Sequence, residues 1–276
     1  MKNAWGEITF LRCSACGSWS QSPAATTTSL ARWFDSDEYQ GSERGPGAAY
    51  ANYAVDEENR VAEARLRYKD DLAPILPKGA RVLEIGCATG SLLSVLREDG
   101  HSVTGLDLSP RFAQAASALH GINVHLGDLL DVNFPDGAFD AVLVMGTIGN
   151  LRSLPLKLKR IRQLLTKSGV LLFNFPDANS LWVRMVYRHR FWMFTPSVSV
   201  FMTARGCARA LAASGFGRFS IRQDYQRPSF RKLLHHGKAD FLFPILDSLG
   251  LGRAPVPFLI PVPTVRIVTA RPPEQP

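Results

Sequence analysis

The chain has 276 residues, 46% of them hydrophobic and 20% charged. That is enough apolar mass for a sizeable core and excludes wholesale disorder; at roughly 100–200 residues per domain it makes one large domain, or one with an extension. Lys and Arg number 32 against 24 Asp and Glu, a net charge of +8, which admits an anionic partner without a dense basic block to demand one. Four cysteines are too few for a disulfide scaffold, and a reducing cytoplasm is the compartment expected. No stretch of about 18 apolar residues is present to span a membrane, and the first residues lack the apolar segment of a signal peptide.

Residues 1–49 read as an irregular N-terminal arm, with a Ser/Thr-rich stretch and a Gly/Pro cluster. Within it Cys13 and Cys16 have the spacing of a zinc knuckle. A structural zinc takes four ligands, and the other cysteines, Cys87 and Cys207, fall inside later elements, so no metal is expected. From Tyr50 to Leu76 the pattern is helical: Val61, Ala64, Leu66, Tyr68 and Leu72 come near one face, and Pro77 ends it.

From Arg81 strands and helices alternate. Residues 81–85, 101–107, 122–128, 139–146 and 169–175 read as strands, with helices between most of them. Ser109 and Pro110 open the second of these helices as N-cap and first residue. This alternation predicts an α/β fold with a parallel sheet covered on both faces and ligands at the carboxyl ends of the strands. Later come a helix over 203–215, strands over 218–223 and 264–270, and two less regular stretches at about 176–202 and 224–263.

The most informative run is Val82-Leu83-Glu84-Ile85-Gly86-Cys87-Ala88-Thr89-Gly90. A strand enters a glycine-containing turn that opens a helix, whose free N–H groups suit an anionic or polar ligand. Asp107 ends the next strand, where a carboxylate can accept from ribose hydroxyls. Together these read as a nucleoside site. The turn is G-x-x-x-G, and Leu92 stands where a dinucleotide fingerprint wants its third glycine. That counts against NAD and FAD, and no P-loop run exists. Taken singly, Asp107 and Asp128 also read as strand-end caps, and Cys87 as a small buried filler.

VLEIGCATG, VTGLDLSP and HLGDLLDVNFPDGAFDAVLVMGTIGNL, in that order, resemble the motifs of class I S-adenosylmethionine-dependent methyltransferases over roughly residues 50–223 and the last strand. The resemblance implies a Rossmann-like, doubly wound, seven-stranded, mostly parallel sheet with an antiparallel last strand. The methyltransferase domain would span 50–276, with lid-like insertions at 176–202 and 224–263. The cofactor implied is S-adenosylmethionine. Glu84 and the backbone of Gly86, Cys87, Ala88 and Gly90 would hold its methionine end. Asp107 would take the ribose, with Leu108 beside the adenine. Asp128 would accept from the adenine amino group, with Leu129 on the ring, and Met145, Gly146 and Thr147 would floor the methyl-donor pocket. The family usually has Gly where Ala88 stands, and often an acidic residue and a His where this chain reads MGTIGN. Some members also carry paired CxxC motifs ahead of the domain, which would make Cys13–Cys16 a zinc-ribbon-like remnant, either degenerate or shortened at its start.

The segment 181–203 is rich in aromatic residues and Arg. As a lid it would supply His189 as catalytic base and Tyr187, Arg190 and Trp192 as acceptor contacts; as a packing insertion it would supply none of these. The arginines would meet an anionic acceptor, or form a solvated face. His235 and His236 are second choices for the base. The acceptor expected is a small molecule, methylated on a hydroxyl of a sugar, glycan precursor or secondary metabolite. The alternatives are an RNA methyltransferase, suggested only by the charge, and a non-catalytic cofactor-binding protein. The Pro-broken apolar stretch 241–263 reads as a cover over the sheet, with a dimer contact or a peripheral membrane contact to a lipid-linked acceptor as the alternatives.

Overall fold

The computed structural model describes residues 2–3, 6–7, 9–40, 57–181, 183, 197–226, 242, 245, 248–251 and 260–273. Strands β1 (Lys2–Asn3) and β2 (Gly6–Glu7) pair with each other. A hairpin of β3 (Thr9–Arg12) and β4 (Trp19–Ser22) follows, with Cys13 and Cys16 in its connection. Helices α1 (Thr27–Phe34) and α2 (Asp37–Gln40) come next.

The reading of this arm as irregular is therefore corrected. Its Ser/Thr-rich stretch supplies a capping box, in which Thr26 and Ser29 each accept the other's backbone N–H. Leu30, Trp33 and Phe34, at i, i+3 and i+4, make a buried apolar stripe on α1. Composition alone treats Ser and Thr as loop formers, whereas at the head of an apolar stripe they start a helix.

Helix α3 (Glu57–Arg67) runs into a π-helical turn, Tyr68–Leu72. The regular helix thus stops ten residues before Pro77, at the point where Arg67 is drawn into ion pairs described below. The alternating region gives β5 (Arg81–Ile85), α4 (Ser91–Glu98), β6 (Ser102–Asp107), α5 (Pro110–His120), β7 (Val124–Leu126), β8 (Phe139–Val144), α6 (Leu154–Leu164) and β9 (Leu165–Pro176). Then come β10 (Val200–Phe201), α7 (Ala204–Ala213), β11 (Arg218–Gln226) and β12 (Ile260–Arg271). The second, third and fourth expected strands are shorter than read, and the fifth and the last two are longer.

These strands form a seven-stranded sheet in the order β11-β12-β9-β8-β5-β6-β7. β12 is antiparallel to both of its neighbours, and the pairs among β9, β8, β5, β6 and β7 are parallel. β10 adds to the arm hairpin instead. The period-2 alternation of side chains divides the core into two layers. Leu83, Val142, Val144, Leu171 and Phe173 pack with Leu158 and Ile161 of α6 and Leu211 of α7. Val82, Ala141, Leu143, Val170 and Leu172 pack with Ala64 of α3 and Leu93 and Leu96 of α4. A strand buried on both faces reads as a nearly continuous apolar run, which is why VLEI and FDAVLV, each broken by one acidic residue, were legible.

After β5 the chain winds outward through β6 and β7, then returns to lay β8 on the other side of β5. The carboxyl ends of β5 and β8 therefore flank a topological switch point, where an open α/β sheet leaves a crevice.

Candidate active site

A cavity of about 330 Å³ opens at this crevice. Eleven of the twelve residues expected at a cofactor line it: Glu84, Gly86, Cys87, Ala88, Asp107, Leu108, Asp128, Leu129, Met145, Gly146 and Thr147. Gly90 does not; it is the N-cap of α4, left-handed at φ 77°. His189, Tyr187, Arg190 and Trp192, like His235 and His236, lie outside the described residues.

The glycine turn is held from both ends. Gly86 N–H donates to the Leu106 carbonyl at 2.7 Å, and Gly90 N–H to the Cys87 carbonyl at 2.9 Å. Gly86 has φ +73°, and a Cβ there would lie 2.5 Å from the Thr147 side chain. Ala88 is also left-handed, at φ 47°, where an L side chain carries strain. The Gly usual in the resembling family is thus a conformational requirement that this chain meets with the smallest side chain.

Asp107 is buried, and its carboxylate is pinned on both oxygens. Ala88 N–H donates to Oδ2 and Ser109 N–H to Oδ1, each at 2.9 Å. Burial pushes its pKa up, while the N–H groups of Ser109, Ala88 and Leu108 oppose that. A carboxylate offers about four lone-pair sites, so acceptor capacity remains for a ligand.

Glu84 sits deeper, on β5. Its Oε2 is buried without a hydrogen-bond partner among the described residues. Burial pushes its pKa up to about 8, with the Arg60 charge opposing and the Asp107 charge adding. Cys87 is buried, its thiol pushed well above the ordinary value by desolvation, as suits a filler rather than a nucleophile.

After β8, Gly146 N–H donates to Asn174 Oδ1 at 2.6 Å. Asn174, on the neighbouring strand β9, thus brings a polar side chain to the cavity beside MGTIGN. Asp128 accepts from Leu130 N–H at 3.0 Å on Oδ1 and from Lys157 Nζ at 2.5 Å on Oδ2.

Sequence reasoning missed several walls of this cavity. Leu30, Phe34 and Tyr39 of the arm line it, and Asp35 fastens the arm to α5 by accepting from Ser109 Oγ and Arg111 N–H. The i, i+3, i+4 stripe of α1 was the signal available. Arg60, Glu63, Arg67 and Asp70 of α3 and the π turn, with Tyr225 of β11, form another wall. Arg67 joins the two elements through a bidentate pair to the fully buried Asp224, at 2.8 and 3.1 Å, and a 2.5 Å contact to Asp71. No short-range pattern announces a pair so far apart in sequence.

The residues fit a cofactor with a polar amino-acid end and a nucleoside end. Among the described residues an unpartnered carboxylate oxygen lies at Glu84, a glycine backbone open to the cavity at Gly86, and a carboxylate fixed on both oxygens at Asp107. Fold and site together define a nucleoside-cofactor-binding domain of Rossmann-like architecture. Residues 55–217 match the family described as methyltransferase domain, and the chain belongs to that family, whose methyl donor is S-adenosylmethionine.

A malonyl-[acyl-carrier protein] O-methyltransferase of Erwinia pyrifoliae is 35% identical over 102 residues, 37% of this chain and 39% of that protein. A 2-methyl-6-phytyl-1,4-hydroquinone methyltransferase of Synechocystis sp. is 28% identical over 152 residues, 51% of this chain and 47% of that protein. The chain thus spans about two fifths to a half of these curated relatives. A solved S-adenosylmethionine-dependent methyltransferase of Thermotoga maritima shares the fold, with TM-score 0.55, 18% identity, and 79% and 92% of the two chains covered. Among the described residues no helix is long and apolar enough to cross a membrane, and no group of three or more His, Cys, Asp or Glu could hold a metal.

Proposed function

We propose that this chain transfers a methyl group from S-adenosylmethionine to a hydroxyl oxygen of a small-molecule acceptor, such as a sugar, a glycan precursor or a secondary metabolite. The observation that carries the donor half is the Asp107 carboxylate, fixed by Ala88 and Ser109 with acceptor capacity left at the cavity wall.

In this reading Asp107 takes the ribose hydroxyls, Leu108 and Leu129 flank the adenine, and Asp128 accepts from its amino group. The Gly86–Gly90 turn lies along the methionine moiety, with Cys87 and Ala88 in its backbone, and Glu84 Oε2 accepts from the amino end. Met145, Gly146 and Thr147 floor the methyl-donor pocket.

S-adenosylmethionine, when bound, supplies a methyl group already activated on a sulfonium. The chain's share is then alignment of the acceptor and exclusion of water. Asn174 beside the floor and Tyr225, 43% exposed at the rim, give the acceptor hydrogen-bonding neighbours, which favours a hydroxylated molecule. His189 as proton acceptor, and Tyr187, Arg190 and Trp192 as acceptor contacts, belong to the same proposal.

Calorimetric titration with S-adenosylmethionine, and with NAD in parallel, tests the donor half. Binding of the former alone, lost in Asp107→Ala, is the expected result; no binding at millimolar concentration would sink the reading. Incubation with labelled donor and a panel of hydroxylated acceptors tests the other half, and label appearing on RNA instead would overturn it.

A further inference from the structure

Lys157 is out of place in two ways. It lies in the first turns of α6, where the helix dipole disfavours a cation, and it is only 3% exposed. Its neighbours on that side of the helix, Leu154, Leu158 and Ile161, are core residues. Moving an ammonium out of water carries a large cost unless an opposite charge meets it. Here the partner is Asp128, at 2.5 Å.

The pair does more than tie α6 to the loop after β7. Both residues line the cavity. Asp128 has one oxygen on Leu130 N–H and the other on Lys157. Two fixed donors, one on each oxygen, leave the carboxylate no freedom to rotate. Each oxygen keeps one further lone pair for a ligand donor. A carboxylate accepts only, so it favours the 6-amino group of adenine and repels a 6-oxo group in the same place.

We infer that Lys157 is a positioning residue which, by orienting the Asp128 carboxylate and offsetting its buried charge, sets the preference of the site for a 6-aminopurine. This rests on the reading of Asp128 as the adenine acceptor. Removing the ammonium leaves a buried carboxylate with neither its fixed geometry nor its counter-charge, so the loss falls on the amino-group contact.

The test is calorimetric binding of S-adenosylhomocysteine and of its 6-oxo analogue, S-inosylhomocysteine, to the wild type, Lys157→Met, Asp128→Asn and the double variant. Wild type should prefer the amino ligand by about tenfold or more, the range of a charge-assisted hydrogen bond. Lys157→Met should erase most of that preference, and in the Asp128→Asn background should change the affinity no further.

Equal weakening of both ligands by Lys157→Met would overturn the inference, as would additive losses in the double variant. The first would reveal a purely structural ion pair and the second a direct ligand contact. Lys157→Arg keeps the charge and should keep the preference; a loss there equal to that of a folded Lys157→Gln would also count against it. A wild type that binds neither ligand overturns the donor-site reading itself, whereas binding without discrimination overturns only the role of Lys157. Thermal melts of every variant establish that each is folded before its affinity is read.

Discussion

The backbone N–H of Ala88 donates to Asp107 Oδ2 at 2.9 Å, joining two residues 19 positions apart. One is the apex of the turn after β5 and the other the last residue of β6. The bond makes the turn and the Asp107 carboxylate one unit, because the carboxylate proposed to face the ribose also fixes the loop beneath it.

Asp107→Asn should therefore do two things. An amide keeps the shape but must turn its NH₂ toward one of the two N–H groups, so a bond to Ala88 or Ser109 is lost. The proposed ribose contacts would also change from charged to neutral. At about 1.5–3 kcal/mol for a hydrogen bond to a charged group, affinity for S-adenosylmethionine should fall by about 10- to 100-fold, with a lowered melting temperature. Unchanged affinity by calorimetry would remove Asp107 from the site.

Ala88 stands at φ 47°, and left-handed backbone costs an L residue roughly 1–2 kcal/mol. Ala88→Gly relieves that and gives back about 0.4–1 kcal/mol through the freer unfolded chain. The expected net is a gain of up to about 1.6 kcal/mol in denaturant unfolding. Ala88→Val should lose more than Ala88→Gly gains, since a β-branched side chain tolerates this conformation worst. A clear loss in the Gly variant would mean that the methyl group makes contacts worth more than the strain.

Much of the cavity's lining is legible in the sequence. The glycine turn and Asp107 are local signals at strand ends, and buried parallel strands announce themselves as apolar runs. Lys157 was not legible. In LPLKLKRIRQL it resembles the solvated lysine two positions on, and only the register of Leu154, Leu158 and Ile161 places it on the buried side. The arm was misread because Ser and Thr counted as loop formers. The Arg67–Asp224 pair spans 157 positions, a separation across which no window of sequence carries a signal.

Gly86 and Thr147 face each other across the switch point. Gly86→Ala would put a Cβ 2.5 Å from Thr147 Cγ2 and Oγ1 at φ +73°. The variant should lose about 1–3 kcal/mol, the range for overpacking, and most of its affinity for S-adenosylmethionine. Thr147→Gly in the same chain removes the clash but not the left-handed strain, so it should restore part of the stability and not all. Full restoration would show that contact alone governs this position; no restoration would place the damage in the backbone.

Glu84 ties stability to pH. In the unfolded chain it titrates near its ordinary value of 4.5, and in the fold burial pushes it up to about 8. Between those values the folded protein holds a proton that the unfolded chain releases. Stability of the ligand-free protein should therefore fall as pH rises, by up to about 1.4 kcal/mol per pH unit from this group alone. The contribution is present below about 4.5 and gone once the pH has passed about 8. Glu84→Gln is neutral throughout and lacks that slope. Denaturant unfolding of both proteins at intervals across this range should show the variant gaining on the wild type until about pH 8, then running parallel to it. Parallel curves across the whole range would mean that Glu84 is ionised in the fold, with a counter-charge close enough to offset its burial.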